Sequence, residues 1–460
     1  MRRLLPLLVL IPAMLAAQIR FDEHFEDRAL RIDLYQSGDV STENVTLGRI
    51  LREGPWPEST DRLLEPFHNG KYRATLYDVA SNALIYARGF DCMFGEYRTT
   101  TPAREGITKV FERSIRLPMP KRPARFVLER RDRENIPRPL FTMALDPKDL
   151  HIIRENPDGK DQITEVMIHG EPRTHVDVVF LAEGYAAGER EKFIADIDRL
   201  SRKLFEVEPY AGARKRFNLR GIFRPSPESG TDEPRQGIFK KTALHSSFNT
   251  FDLDRYLLTE QNHRLREMAG QVPYDAIVIL VNSPRYGGGG IYNDYCMTTV
   301  DNARSPQVFV HEFGHAFGGL ADEYYTSDVA YNEFYPPGVE PLEPNITALL
   351  DPARLKWSHL AAPGIAIPTP YGKEALDSLL AARPKAPEAV RKEIDARIDS
   401  IKKAYAPVYG KVGAFEGAGY ASRGLYRPMV YCLMINNPKN EFCLVCREAL
   451  GRMIDFYAVP

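Results

Sequence analysis

Residues 305–319 read SPQVFVHEFGHAFGG, and this stretch decides how the rest of the chain is interpreted. Within it, His311 and His315 are four residues apart, and Glu312 follows the first of them directly. On a helix, residues four apart lie on one face one turn apart, so both imidazoles can reach one ion while the carboxylate lies beside it. The Ser-Pro pair is typical of a helix start, and the two final glycines indicate where the helix stops. The stretch therefore predicts a helix that carries metal ligands.

The residue types at these three positions indicate a chemistry. A zinc ion held by three protein ligands keeps a position for water, lowers the pKa of that water to roughly 7, and polarises a carbonyl group. A carboxylate at the position of Glu312 can accept the proton from the water and pass it to a leaving amine. The pattern thus predicts amide hydrolysis with one catalytic Zn²⁺, with His311 and His315 as ligands and Glu312 as the general base.

The third ligand is the open question in this stretch. The metzincin pattern places a glycine three residues after the second histidine and a His or Asp three residues after that glycine. Counting from Gly318 reaches Ala321, which cannot bind a metal, whereas counting from Gly319 reaches Asp322. We therefore expect Asp322 to be the third ligand, with Glu323 as the competing candidate.

The N-terminus and the composition indicate where the protein acts. Residues 1–17 begin with two arginines after the initiator methionine and continue into an apolar run that is too short to span a bilayer. This layout predicts a signal peptide, cleaved after Ala17, and a soluble protein that is secreted or periplasmic. No later stretch has the roughly eighteen apolar residues of a membrane helix, so no membrane anchor is expected. With 61 basic and 62 acidic residues, the net charge of -1 gives no reason to expect nucleic acid as a partner.

The chain changes character part-way along, which predicts an α+β protein with two domains after the signal peptide. In residues 18–165, short aromatic and β-branched runs at 72–77, 83–87 and 124–129 predict an antiparallel β-sandwich. Charged and proline-containing residues between 130 and 170 are interpreted as a connector.

Residues 166–460 are predicted to form an α/β catalytic domain. Strands are expected at 176–181, 219–223 and 276–281, and an amphipathic helix at 189–204. A stretch at 371–407 has acidic and basic residues at three- and four-residue spacings, which predicts a charged helical insertion exposed to solvent.

Five cysteines are too few for a disulfide-rich scaffold in a chain of this length. Cys432, Cys443 and Cys446 cluster near the end, and we expect one local disulfide among them. A zinc knuckle built on these cysteines would need a fourth ligand, which the neighbouring sequence does not offer.

Several segments together resemble the IgA-peptidase family of metzincin-like zinc metallopeptidases, which is found chiefly in bacteria. They are residues 174–185, the zinc-helix segment 311–325, the glycine-rich segment 413–420, and 426–434, with 85–90 and 118–121 resembling the β-rich N-terminal domain of that family. The resemblance implies a metzincin-like fold, a polypeptide substrate, and a methionine turn beneath the metal. Met434 is the best candidate for this methionine, and Met429 is the alternative.

Two further features stay open at this level. The glycines at 287–290 could form an edge strand that pairs with an extended substrate, or a flexible loop without substrate contact. Tyr420, Tyr426 and Tyr431 are candidates for stabilising an oxyanion, and each has a purely structural alternative.

The main prediction has two alternatives. One is a binding or adhesion protein in which the zinc site is a relic, although the presence of Glu312 argues against it. The other is a zinc amidase acting on cell-wall peptides, which would use the same metal chemistry in a cleft of different shape. The oligomeric state cannot be derived from the sequence.

Overall fold

The computed structural model describes residues 19–154, 161–326, 334–435 and 440–459. The predicted signal peptide at 1–17 therefore lies outside the described residues. None of the helices in the described part of the chain has both the length and the apolar character needed to cross a bilayer.

The N-terminal region consists mainly of antiparallel strands. Its elements are α1 (Phe21–His24), β1 (Phe25–Gly38), β2 (Glu43–Arg52), β3 (Tyr72–Asp78), β4 (Leu84–Phe90), α2 (Met93–Tyr97), α3 (Thr101–Arg104), β5 (Lys109–Pro120), β6 (Ala124–Arg131) and β7 (Pro137–Leu145). The strands form two antiparallel sheets, with the orders β2-β1-β5 and β4-β3-β6-β7. The three strands predicted here are confirmed as β3, β4 and β6.

The remaining elements include a six-stranded mixed sheet and the helices around it. They are β8 (Gln162–Met167), β9 (Val176–Glu183), α4 (Arg190–Leu204), α5 (Tyr210–Ala213), β10 (Phe217–Phe223), α6 (Asn262–Ala269), β11 (Ala276–Val281), β12 (Gly288–Ile291), β13 (Tyr295–Thr299), α7 (Ser305–Gly318), α8 (Lys373–Ala382), α9 (Glu388–Tyr409), β14 (Phe415–Ala418), β15 (Ala421–Arg427) and α10 (Leu444–Tyr457). The sheet order is β12-β13-β11-β9-β10-β8, with parallel pairing in the centre and antiparallel pairing of β8 and β12 at the edges. The predicted strands β9, β10 and β11 and the amphipathic helix α4 are confirmed, as is the overall α+β class.

The expectation of a connector between 130 and 170 is wrong. This part of the chain contributes β7 to an N-terminal sheet and β8 to the edge of the mixed sheet. Both are edge strands, which tolerate proline and polar residues because one side has no neighbouring strand to pair with. The boundary predicted at 165/166 falls inside β8, so the proposed division into two domains stays a prediction.

The central strand β9 shows how the two parts are packed together. Val179 and Leu181 point into an apolar core that includes residues of the N-terminal sheets, whereas Val178 and Phe180 point into a second core beneath α4 and α7. Successive side chains of a strand point to opposite faces, so a strand covered on both sides needs an uninterrupted apolar run. The N-terminal region thus covers one face of the sheet, and the histidine-bearing helix packs on the other.

The charged stretch at 371–407 forms α8 and α9, so its predicted helical character is confirmed. Most of its residues are exposed, but a small apolar cluster holds the two helices together and joins them to β14. Its buried members are Tyr371, Leu376, Leu379, Ile394, Ile398 and Phe415.

Candidate metal centre and cleft

Helix α7 packs unusually close to the edge strand β12. A Cβ atom added to Gly290 would lie 2.3 Å from the carbonyl oxygen of Glu312 and 3.0 Å from the Cβ of His315. Only a residue without a side chain allows a helix backbone to approach a strand this closely. The glycine run therefore places the helix against the sheet, which is a role that the sequence alone did not suggest.

The two imidazoles on this helix face each other. The Nε2 atoms of His311 and His315 are 3.1 Å apart. Each Nδ1 lies within hydrogen-bonding distance of a backbone carbonyl oxygen, at 3.1 Å from that of Leu433 and 2.6 Å from that of Leu320 respectively. When Nδ1 carries the proton in such a bond, the Nε2 lone pair is available to a metal ion.

The chain after the helix brings a carboxylate to the same point. Helix α7 ends at Gly318, and Gly319 reverses the chain with a positive φ of 61°, as the sequence predicted. The Oδ1 atom of Asp322 then lies 3.1 Å from Nε2 of His311 and 3.4 Å from Nε2 of His315. The hydroxyl of Tyr420 donates a hydrogen bond of 2.6 Å to the other oxygen, Oδ2, which fixes the carboxylate.

The competing candidate, Glu323, points the other way. Its side chain is completely buried, and its Oε1 accepts a hydrogen bond of 3.0 Å from the amide of Asn345. The same oxygen lies 3.1 Å from the Sγ of Cys446. Two neighbouring carboxylates therefore belong to two different clusters.

The charges in the cleft interact strongly. Burial acts to lower the pKa of His315, but the Asp322 carboxylate raises it to about 9. Burial alone would raise the pKa of Asp322, yet the two histidines hold it well below its usual range. Burial raises the pKa of Glu312, and the histidines oppose that shift. The Asp322 carboxylate thus favours positive charge between the two imidazoles, which a metal ion would supply in place of the protons.

Met434 lies beneath this cluster. Its side chain is fully buried, and its sulfur would be 3.1 Å from a Cβ atom added to Gly314, which lies between the two histidines on α7. The backbone carbonyl of Met434 also accepts a hydrogen bond of 2.9 Å from the amide of Glu323. Met429, the alternative for the methionine turn, is only partly buried.

The histidines line a cleft whose walls come from both halves of the chain. Lys71 and Asp91 of the N-terminal region line it together with Arg255 and Tyr324 of the second region. Burial acts to lower the pKa of Arg255, but Tyr324, Asp322 and Glu312 raise it above its ordinary value. Sequence reasoning missed these residues because they lie on loops and turns, where no periodic pattern or spacing marks them.

The open questions about the tyrosines and the glycine run are partly answered by position. Tyr420 lines the cleft, whereas Tyr426 lies on β15 and Tyr431 is 42 % exposed. Strand β12 is at the edge of the mixed sheet, but its Gly288 already forms a bridge with Tyr256. Its pairing with a substrate stays a prediction.

The expectation of a local disulfide among Cys432, Cys443 and Cys446 is wrong. All five cysteines carry free thiols, and the Sγ atoms of Cys432 and Cys446 are 3.7 Å apart. All three side chains are buried and surround the carboxylate of Glu323, 123 residues before Cys446. Sequence spacing could not reveal this partner, because it is brought in by the turn that follows α7.

Two known protein-family descriptions match the chain. Residues 164–454 match the family IgA Peptidase M64, and residues 20–142 match the Peptidase M64 N-terminus. The chain belongs to the M64 peptidase family. It is accordingly a metallopeptidase, and M64 membership implies a polypeptide substrate and a metal cofactor. No curated protein shows significant similarity to the chain.

Proposed function

We propose that this M64 member is an exported zinc-dependent endopeptidase of metzincin-like fold, with His311, His315 and Asp322 as zinc ligands and Glu312 as general base. The observation that carries the proposal is the convergence of the two Nε2 atoms and Oδ1 of Asp322 within 3.1–3.4 Å of one another. Four-coordinate zinc with bonds of about 2.0–2.2 Å separates its ligand atoms by roughly 3.3–3.6 Å. The donor set and its spacing therefore fit zinc.

The groups around the ligands support a catalytic role for the site. A zinc ion bound there would polarise a peptide carbonyl and acidify a water molecule. Glu312 lies next to His311 on the helix and lines the same cleft, so its carboxylate can accept the water proton and deliver it to the leaving amine. The guanidinium of Arg255 lines the cleft as well, where it can stabilise negative charge on the substrate oxygen during attack.

Hydrogen bonds from neighbouring groups hold the ligands in place. Backbone carbonyls at Leu433 and Leu320 orient the two imidazoles, and Tyr420 orients the carboxylate of Asp322. Fully buried Met434 packs below the same helix. Hydrogen bonds to metal ligands typically account for about 10–100-fold in metal affinity or activity.

Replacing Glu312 by Gln tests the proposal directly. The amide is nearly isosteric but cannot act as a base, so we expect unchanged zinc content and a kcat lower by about 10²–10⁴-fold. Zinc content and the hydrolysis of a mixed peptide library should be measured on the same purified sample. Glu191→Gln, an exposed change on α4, is the matched control and should retain normal turnover.

Two outcomes would contradict the proposal. Activity of Glu312→Gln at the level of the unchanged protein would remove this residue from the mechanism. A folded, zinc-loaded chain that cleaves neither the peptide library nor a denatured protein would instead favour a binding role. Endopeptidase action itself is read from internal cleavage sites in the library.

A further inference from the structure

A second group of metal-binding side chains lies outside the cleft. It consists of Glu323, Cys432, Cys443 and Cys446, and we call it the cysteine cluster. One ligand atom from each of the four residues lies within 4.8 Å of the others. All four side chains are buried, with 0–3 % of each residue exposed. Four donor atoms that converge in a closed interior are the arrangement of a structural zinc site, which has no position open to water.

The distances within the cluster are close to those that one zinc ion requires of its ligands. Zinc–sulfur bonds of about 2.3 Å in tetrahedral geometry place two sulfurs roughly 3.8 Å apart. The Sγ atoms of Cys432 and Cys446 are 3.7 Å apart. The Oε1 atom of Glu323 lies 3.1 Å from the Sγ of Cys446 and 3.8 Å from that of Cys443. These separations bracket the roughly 3.5 Å expected between oxygen and sulfur ligands of one zinc ion.

The surroundings are suited to thiolates and a carboxylate. Backbone amides of Cys443 and Cys446 donate hydrogen bonds to the sulfurs of Cys432 and Cys443, at 3.3 and 3.5 Å. Cys443 also caps the N-terminus of α10, where the helix dipole stabilises negative charge. The amide of Asn345 donates to one oxygen of Glu323, while the other oxygen, Oε2, is buried and has no hydrogen-bond partner among the residues that the structure describes.

We infer that the cysteine cluster binds a second, structural zinc ion through three thiolates and the carboxylate of Glu323. Binding would release the thiol protons to solvent. It would also give Oε2 of Glu323 a partner, either as a zinc ligand or through the positive charge of the ion. The site would tie the turn after α7 to the start of α10 and to the segment that contains Met434. This inference does not depend on whether the cleft hydrolyses peptides.

Metal stoichiometry and cobalt spectroscopy test the inference on the full mature chain, purified in reducing buffer. The unchanged protein should retain two zinc ions per chain after dialysis. Loading with Co²⁺ in place of zinc should give the strong near-ultraviolet band of cobalt–thiolate bonding. Cys443→Ser should retain one zinc and lose the band. Asp322→Ala should also retain one zinc, but it should keep the band.

Cys296→Ser is the matched control, because it removes a buried thiol outside the cluster and should change neither the stoichiometry nor the band. If Cys443→Ser does not fold, the cobalt spectrum of the unchanged protein decides the question. A spectrum without the thiolate band would overturn the inference. So would a thiol titration of the zinc-free, unfolded chain, isolated for this purpose without reductant, that finds three thiols rather than five, because that result would mean a disulfide.

Discussion

Asp322 and Glu323 are neighbours in sequence, yet they contribute to two clusters of different chemistry. Asp322 faces two imidazoles whose side chains are 17 % and 15 % exposed at the floor of the cleft, whereas Glu323 faces three thiols in a closed interior. The segment that carries them is not helical, so consecutive side chains can point in opposite directions. The turn after α7 therefore supplies one carboxylate to the two imidazoles and the other to the three thiols.

The difference in exposure separates two kinds of metal chemistry. An ion that takes part in a reaction needs a position open to water and substrate. The group of His311, His315 and Asp322, called the histidine cluster, offers such a position through the cleft. An ion that only stabilises the fold is best enclosed by four protein ligands, as the cysteine cluster would provide. The proposed functions of the two clusters follow from access to solvent as much as from ligand type.

The largest effect is expected when the two neighbouring carboxylates are changed one at a time. Asp322→Ala should lower catalytic zinc occupancy and kcat/KM by more than about 10–100-fold. A loss of that size is typical when only a hydrogen bond to a metal ligand is removed. Glu323→Gln should lower the activity by a much smaller factor and should instead alter the cobalt–thiolate band. Zinc content, peptide hydrolysis and the cobalt spectrum are measured for both variants. The reverse ranking would identify Glu323 as the catalytic ligand.

A smaller effect is expected from the contact that positions only the histidine cluster. In Gly290→Ala, the new methyl group would meet the carbonyl oxygen of Glu312 at 2.3 Å, so β12 and α7 must move apart. Overpacking of this kind costs about 1–3 kcal/mol of stability. We expect reduced kcat/KM together with an unchanged cobalt–thiolate band, because the atoms nearest to the added methyl group belong to Glu312 and His315 and not to the cysteine cluster.

Gly188→Ala is the control for this substitution, since an added methyl group there would meet no atom within 4 Å. Its free energy of unfolding, measured by denaturant titration, should stay the same or rise by up to about 1 kcal/mol. If Gly290→Ala lowered neither the free energy of unfolding nor kcat/KM, the glycine run would not be what positions α7.

The sequence predicted the histidine cluster far better than the cysteine cluster, for a physical reason. His311 and His315 are one helical turn apart, so spacing alone places them on one face with Glu312 beside them. The choice between Asp322 and Glu323 depends on the direction of single side chains after a turn, and a shift of one residue would exchange them. The strands β3, β9 and β11 were predictable because burial leaves a short run rich in apolar residues, which is uninterrupted in β11.

Contacts between segments distant in the chain could not be predicted in this way. The carboxylate of Glu323 joins cysteines more than a hundred residues later, and Lys71 reaches the cleft from the N-terminal region. The edge strand β7 was also missed, because proline and charge at an edge resemble a loop. Each of these features depends on which surfaces meet in the folded chain, which leaves no periodic signal in the sequence.

The smallest effect is expected at two glycines on the neighbouring helices α7 and α10, one near each cluster. Gly451 lies inside α10, whose first turn carries Cys446, and an added methyl group there would meet no atom within 4 Å. Gly451→Ala should raise the free energy of unfolding by about 0.5–1 kcal/mol, because alanine loses less backbone freedom on folding than glycine.

Gly318 ends α7, and there the same methyl group would lie 2.4 Å from Cδ2 of the buried Leu450. Gly318→Ala should therefore be less stable than Gly451→Ala, because the Leu450 side chain must shift, and Gly451→Ala should leave kcat/KM unchanged. Denaturant titration and peptide hydrolysis check both variants, and a loss of activity in Gly451→Ala would show that α10 and the cleft are coupled rather than separate.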